Sequence, residues 1–571
     1  MREHIVSSEA KKRERTRVAR SVQTLISRYG IWVVLLGVLA VYVLSLTPHI
    51  GPSDSAWYLV LSKSIATGQG YRNLQQVATA PHTHFPFGFP LLLSPVWLLF
   101  PSFPDNAYAF KLIPVLFGIA SWVVFYLYLQ RNSNLGVPLN LAIVLMSALT
   151  PMMVFFAAQE LMSETSYMFF SFLSLLLFER VAGGKGSRRL AFGLAIVALT
   201  MSYFVRTVGL SLLIAVVLYF VLKRDWKRAV LTVALFGVLI SPWIMRNLSV
   251  GASALGGDYG QDMWLKDYAR PYLGYIESYW ELIPRVLRNG YEHMSSSLMW
   301  IFLPQLGPRQ PTSLPAFLYQ GWVKAFLGFV IIGLIAWGMA VEGRRRKEVP
   351  LPVLYSVVYM GPVLLQPWVG VRNLIPVMPI LFYCFFVGLG ALVAGGRFLF
   401  RGATAQWVKS ATAMAAVVML IGFARSDRLR IRTGLAHNLE GHADPVEQSF
   451  GEACHWIEAN APEDSRLLTT LPLWLYLYTG RAPYPFPAGS SRYNPDENSP
   501  ERMLDSVTSN SADYLILQPE RPSYDGGVYD RGEDPLLLQT ALLFPDRFRL
   551  AYETTAWPHT LIFELTGSKT P

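Results

Sequence analysis

The stretch FGFPLLLSPVWLLFP, Phe87 to Pro101, decides the topology of this chain, because it is apolar enough to be counted as a membrane span and too short to be one. A bilayer-crossing helix needs about 20 mostly apolar residues. This segment is shorter and carries Pro90 and Pro95. If it crossed, every later loop would change sides and the Lys and Arg clusters would lie outside, against the bias that sets membrane topology. It reads instead as an interfacial or re-entrant helix in an outer loop, since irregular backbone at membrane depth is tolerated only against protein or water.

Eleven candidate spans remain, near 31–49, 109–129, 138–158, 164–182, 189–205, 207–222, 228–245, 317–341, 351–369, 373–394 and 407–424. With the N-terminus inside, the even-numbered exits should be basic. They carry Arg131; Lys185, Arg188 and Arg189; Lys223, Arg224, Lys227 and Arg228; Arg344, Arg345, Arg346 and Lys347; and Arg397, Arg401 and Lys409. The opposite loops hold Asp54, Glu160, Glu164 and the long stretch 246–316, and an odd number of spans places the C-terminus outside. Residues 1–30 form a basic cytoplasmic segment, and the exit TPHIGPSD lacks the small residues of a cleavage site, so the first span is expected to remain uncleaved.

Composition agrees with a bilayer. The 571 residues are 52% hydrophobic and 15% charged, where a soluble domain carries about 25% charged residues. The net charge of +11 is dispersed in short clusters between apolar runs, which is a topology signal and sets nucleic acid aside. Cys384 lies in an apolar run and Cys454 in the polar C-terminal part, so neither a disulfide nor a cysteine metal site is expected. From Arg425 onward the chain reads as a small α/β domain. An amphipathic helix over 446–460 precedes strand-like runs at 467–470, 514–517, 547–552 and 560–565, and residues 485–500 and 519–535 read as loops. No internal repeat suggests the paired halves of a transporter. The aromatics of 246–316 (Tyr259, Trp264, Tyr268, Tyr272, Tyr275, Tyr279, Trp280, Tyr291, Trp300) suit headgroup depth, and a lipid chain or sugar would fit them as well.

Ionisable residues gather at the outer surface. Asp54 follows the first span in GPSDSAWYLVLSKSIATGQGY, where an aspartate is either a hydrated loop residue, a helix cap, or an acid placed at the depth of a lipid headgroup. His82 and His84 in APHTHFPFGFP either donate to a phosphate or sit at a wet interface. Glu160 and Glu164, in AAQELMSETSYMFF, are spaced to share one helix face, and two carboxylates are too few to define a cation site. Arg206, Arg246 and Arg372 stand outside against the positive-inside bias, suited to a phosphate leaving group or to ion pairs with the two glutamates.

Taken in order, Asp54 with Tyr58, Gly68, Gly70 and Tyr71, then HFPFGFPLLL (84–93), MSETSYMFF (162–170), YFVRTVGL (203–210), SPWIMRN (241–247) and VRNLIPVMPIL (371–381) resemble the GT-C type polytopic membrane glycosyltransferases. The likeness is to bacterial relatives of protein O-mannosyltransferases and lipid A aminoarabinose transferases, and it spans most of the membrane region. It implies an α-helical polytopic membrane protein of about eleven transmembrane helices over 31–424, with outer loops at 50–108 and 246–316 and an extracytoplasmic α/β domain at 425–571. It also implies an inverting, single-displacement transfer of a hexose or pentose from a polyprenyl-phosphate donor to a protein, glycolipid or glycan acceptor. Asp54 takes the place of the first-loop acid, Glu164 that of the acid opening the fourth span, and Arg372 that of an arginine near the donor head. His84 stands close to a basic residue of the relatives, and this chain has Pro86-Phe87-Gly88 where they often have Pro-Pro-Gly. Tyr58, Tyr71, His84, Glu164, Arg206, Arg246 and Arg372 are the expected substrate and phosphate contacts. No cofactor is firmly implied, and for a divalent metal only Glu160 and Glu164 offer themselves. The expected location is a bacterial inner membrane with the N-terminus cytoplasmic. An O-antigen polymerase or ligase is the rival enzyme and a lipid or polysaccharide transporter the rival of another class.

Overall fold

Hydrocarbon offers no partner to backbone N–H and C=O groups, so an apolar chain satisfies them within helices. The computed structural model describes residues 29–183, 188–251, 278–306, 320–367, 369–395, 405–440, 444–484, 499–509, 511–518 and 533–566, with isolated positions 265 and 276. Helix α1 (Tyr29–Leu44) leads through an irregular segment into α2 (Asp54–Ala66), α3 (Gly88–Leu99) and α4 (Ala107–Asn132). Next come α5 (Val137–Ala148), α6 (Pro151–Val154), α7 (Glu164–Ala182), α8 (Arg188–Val205), α9 (Leu210–Leu222) and α10 (Trp226–Ser249). The membrane region continues with α11 (Leu282–Glu292), α12 (Leu298–Phe302), α13 (Gly321–Arg346), α14 (Leu351–Leu365), α15 (Met378–Gly395) and α16 (Ala405–Glu440).

Among the described residues, 4 helices (α4, α7, α10 and α13) are long and apolar enough to cross a membrane, or 5 if the bent pair around Pro151 is one span. The expected run 189–205 is helical throughout, whereas several other apolar helices depart from the expected bounds for local reasons. The run 138–158 breaks between α5 and α6 with a 57° bend, because Pro151 lacks the N–H that would continue α5. The chain then widens into a π-turn over Phe155–Gln159. The run 373–394 opens as a 3-10 turn, Val371–Leu374, and becomes α-helical only at Met378, past Pro376. The last run, 407–424, continues to Glu440, so helix extends beyond the Arg425 boundary expected from composition. The Phe87–Pro101 segment forms α3, which packs against α2, α4 and α8. A Cβ on Gly88 would stand 2.5 Å from the carbonyl oxygen of Phe204, so the start of α3 lies directly on the end of α8.

Helices α13 and α15 meet backbone to backbone. A side chain on Gly338 would overlap the Cys384 carbonyl, and one on Gly388 the Leu334 carbonyl. Small residues permit such approach where no hydrophobic force separates helix from lipid. Gly338→Leu is expected to destabilise by about 1–3 kcal/mol through overpacking, read as an earlier thermal transition of the purified protein in detergent. An unchanged transition would show that the helices part without cost.

Helix α11 is inverted in its polarity. Arg285, Asn289 and His293 are buried, while Trp280, Ile283, Leu287 and Tyr291 are exposed. Asn289 Nδ2 donates to the carbonyls of Leu364 and Gln366, both at 2.8 Å, and Arg285 Nη1 to that of Leu365 at 3.3 Å. The polar side thus satisfies the carbonyls that end α14, and the exposed side, where Arg288 and Glu292 stand beside the apolar residues, suits headgroup depth. A nitroxide on Leu287→Cys is therefore expected to collide more with dissolved oxygen than with a water-soluble nickel chelate. The reverse order would place this face in water. Labelling is selective, since Cys384 and Cys454 are free and buried. Of the aromatics expected at headgroup depth, Tyr259, Trp264, Tyr268, Tyr272 and Tyr275 lie outside the described residues.

The C-terminal part has a 4-stranded sheet in the order β1-β2-β4-β3, from β1 (Leu467–Thr469), β2 (Tyr514–Leu517), β3 (Phe548–Glu553) and β4 (Leu561–Leu565). β1 and β2 are parallel, the other pairs antiparallel. Helix α17 (Pro445–Asn460) starts at Asp444, whose carboxylate accepts from the N–H groups of Val446 and Glu447. Helices α18 (Pro472–Thr479), α19 (Pro500–Ser509) and α20 (Glu533–Leu543) complete this part. Most of the two expected loops, 485–500 and 519–535, falls outside the described residues.

Candidate active site

Four separate segments bring four charges together. Asp54 is the first residue of α2 and Glu164 the first of α7, positions where unpaired N–H groups and the helix dipole favour an anion. Arg372 lies in the 3-10 turn before α15, and Arg206 in extended backbone between α8 and the turn Thr207–Gly209. Arg372 Nη1 donates to Asp54 Oδ2 at 2.6 Å, and its Nε donates to Glu164 Oε1. Arg206 Nη1 reaches the same Glu164 oxygen at 2.5 Å and Ser163 Oγ at 3.3 Å. Tyr58 closes the group, its hydroxyl 3.4 Å from Ser163 Oγ.

Exposure grades across the cluster and distinguishes the two acids. The Glu164 side chain is 0% exposed, those of Arg206 and Arg372 20% and 24%, and that of Asp54 32%. Two carboxylates against two guanidiniums leave no net charge, which is what permits burial at a membrane boundary. Glu164 is the fully enclosed counter-ion of the arginines, and Asp54 is the acid with an open side.

Tyr71 and His84, in the loop between α2 and α3, gather with Arg246 of α10 in a second group. Arg246 donates from Nη2 to the Tyr71 carbonyl at 2.8 Å and from Nη1 to the His82 carbonyl at 2.5 Å. Its guanidinium lies over the rings of Tyr71 and Trp243. The arginine thereby ties the loop to α10. The Tyr71 hydroxyl donates to the Phe85 carbonyl at 3.1 Å, and the Phe85 ring packs against Tyr58, which joins the two groups. His82 accepts the Phe85 N–H at Nε2 (2.9 Å), so Nδ1 carries the proton toward Asn73 Oδ1 at 2.7 Å. Burial, with His84 and Arg246 adding to it, pushes its pKa down to about 3, so it stays a neutral structural group. His84 is half-buried, its ring edge-on to Phe85.

Glu160 and Glu164 do not share a helix face. The π-turn ends at Gln159, Glu160 is extended, and a new helix opens after Ser163. Glu160 instead accepts from Ser55 Oγ at 2.7 Å, and a Cβ on Gly51 would meet its carboxylate at 3.0 Å. Among the described residues no group of three or more His, Cys, Asp or Glu is placed to hold a metal ion. Sequence reasoning passed over Ser55, Ser163 and Lys111. The last had a visible signal, a lysine inside the apolar run 109–129. It is wholly buried and donates from Nζ to the Gln159 carbonyl at 2.6 Å.

The architecture is that of the GT-C glycosyltransferases, and with its apolar helices it makes this an integral membrane protein. ArnT from Cupriavidus metallidurans superposes with a TM-score of 0.57 and 15% identity, over 95% of this chain and 100% of that one. The same protein bound to undecaprenyl phosphate gives 0.57 at 13% identity. The archaeal oligosaccharyltransferase AglB from Archaeoglobus fulgidus, in complex with an inhibitory peptide and a dolichol-phosphate, gives 0.56 at 13%, over 96% of this chain and 75% of that one. At such identities the likeness is one of fold. No family model matches the chain, and no curated protein matches it in sequence.

Proposed function

We propose that this protein transfers a sugar from a polyprenyl-phosphate donor to an acceptor hydroxyl on the extracytoplasmic side, by a single inverting displacement. The observation that carries this reading is the Asp54–Arg372–Glu164–Arg206 cluster, which pairs one accessible carboxylate with two guanidiniums at a helix-end surface. Neighbours of the same fold bind undecaprenyl phosphate and dolichol-phosphate, which supports a lipid-linked donor.

In this reading Asp54 accepts the proton of the acceptor hydroxyl as its oxygen bonds to the anomeric carbon. The bond from that carbon to the phosphate oxygen breaks, and polyprenyl phosphate leaves with the electron pair. Arg372 and Arg206 stabilise the charge that develops on the phosphate. Glu164 holds the two arginines in register and remains ionised against them. Tyr71 and His84 lie at the approach in the loop that Arg246 holds, and Tyr58, buried in α2, backs the cluster through Ser163. In this reading the α/β part that follows α16, from Asp444 onward, lies outside the membrane, above the site.

The test is transfer of label from radiolabelled polyprenyl-phosphate hexoses or pentoses in membranes containing this protein, against membranes lacking it. Protein-dependent transfer, with the acceptor-linked sugar inverted at its anomeric carbon, supports the reading. Retention of configuration, or no protein-dependent transfer with any donor, removes it.

A further inference from the structure

Asp54 opens α2 directly after a segment that has no regular structure of its own. Between the end of α1 and the start of α2, residues 46–51 form neither helix nor strand, yet nearly all are buried. Their order must come from what holds them: Lys111 of α4 donates from Nζ to Thr47 Oγ1 at 3.3 Å, and several of the other holders are residues of the C-terminal part. Asn438, near the end of α16, donates from Nδ2 to the Leu46 carbonyl at 3.1 Å. His49 Nδ1 meets Glu447 Oε2 of α17 at 2.8 Å, with the two side chains only 7% and 12% exposed. Trp474 of α18, fully buried, donates from Nε1 to the Ile50 carbonyl at 3.0 Å. Glu447 is itself fixed, its other oxygen accepting from the Tyr478 hydroxyl at 2.9 Å. On the inner side, the Glu160 carboxylate packs on Gly51 and accepts from Ser55.

The segment is thus clasped between two acids, Glu447 from outside and Glu160 from the membrane region, with Asp54 just beyond the clasp. Burial works against a charged His49. The Glu447 carboxylate beside it, with Asp444 and Glu160 further off, outweighs burial and raises the histidine pKa above 6.5. A short, buried side-chain contact thus joins the two parts.

We infer that the C-terminal part is a positioning element for Asp54: Glu447 acting through His49, and Trp474 acting through Ile50, set the backbone from which that carboxylate meets the acceptor. Glu447, His49 and Trp474 are positioning residues and touch no substrate. The inference rests on the transfer reading for its effect on rate, and on geometry alone for its effect on the segment. A misplacement of about 1 Å in a reacting group costs on the order of 100-fold in rate, so loosening this clasp acts on turnover more than on donor binding.

The test compares full-length wild type with Glu447→Ala, Glu447→Gln and Trp474→Phe. Two quantities are read: kcat and donor KM for transfer, and hydrogen–deuterium exchange of the peptide covering 46–57. Glu447→Ala is expected to lower kcat about 10- to 100-fold with KM little changed, and to raise exchange in 46–57 but not in the α13–α15 pair. Glu447→Gln, whose amide still accepts from one neighbour and donates to another, is expected to recover most of both. Trp474→Phe keeps an aromatic ring but loses the bond to Ile50 and part of the packed indole, so a smaller rise in the same peptide is expected. Wild-type kcat and exchange in Glu447→Ala would overturn the inference, and so would a rise in exchange throughout the chain, which would mark a general stabilising role. If wild type transfers no sugar, exchange alone decides. A rise confined to 46–57 upholds the positioning while the transfer reading falls.

Discussion

Asp54→Asn is expected to lower kcat by about 100- to 10,000-fold, the range that a general base contributes, while leaving the protein folded. The amide is nearly the size of the carboxylate, and its oxygen still accepts from Arg372, so the link between α2 and the turn before α15 survives. What is lost is the capacity to take a proton from the attacking hydroxyl. Because that capacity is exercised only as the new bond forms, kcat should fall while donor KM stays near wild type. Labelled-donor transfer at matched expression, with a thermal transition measured on the same preparations, checks both halves. Transfer at the wild-type rate would remove Asp54 from the chemistry. A fall accompanied by early unfolding would make it a structural residue.

The second large effect is expected at Glu164. Glu164→Gln leaves Arg206 and Arg372 facing a neutral amide in an enclosed site, and removing one partner from a buried ionic group costs about 3–5 kcal/mol. The fully buried carboxylate accepts from both arginines through the same oxygen, so the whole penalty falls at one position. The double variant Glu164→Gln/Arg206→Gln removes one positive charge along with the negative one. It should be more stable than the sum of the single changes predicts, since residues in one ionic network couple strongly. Thermal unfolding of the four proteins in detergent gives the coupling directly. Simple additivity would show that the guanidiniums are compensated elsewhere, and Glu164 would then not be the counter-ion that orders the site.

The two acids illustrate how far the sequence reads. Asp54 and Glu164 were both legible as carboxylates at a membrane surface, because their neighbours in the chain are apolar runs and acids are costly inside them. Their difference in role was not legible. One is open and the other enclosed because Arg372 and Arg206, distant in sequence, arrive on Glu164, and exposure is set by neighbours that only folding brings. The same limit explains Glu160. Spacing of four suggested a shared face, but the helix stops at the π-turn and restarts after Ser163, so the pair separates. Periodicity reports a face only while the helix continues, and neither the π-turn nor the new cap was read from the local pattern.

Membrane character was determined by the sequence alone, since hydrophobic runs and basic loops express a one-dimensional partition between lipid and water. The strands at 467–469, 514–517, 548–553 and 561–565 were also marked by local pattern, because alternation and turn residues act over a few positions. The tertiary structure alone decided that α16 runs on to Glu440, that Arg246 serves backbone carbonyls of the first loop, and that Glu447 meets His49. These are contacts between residues hundreds of positions apart or between a side chain and a distant carbonyl. Charge pairing and hydrogen-bond satisfaction at that range depend on the fold as a whole, and no local stretch of sequence carries them.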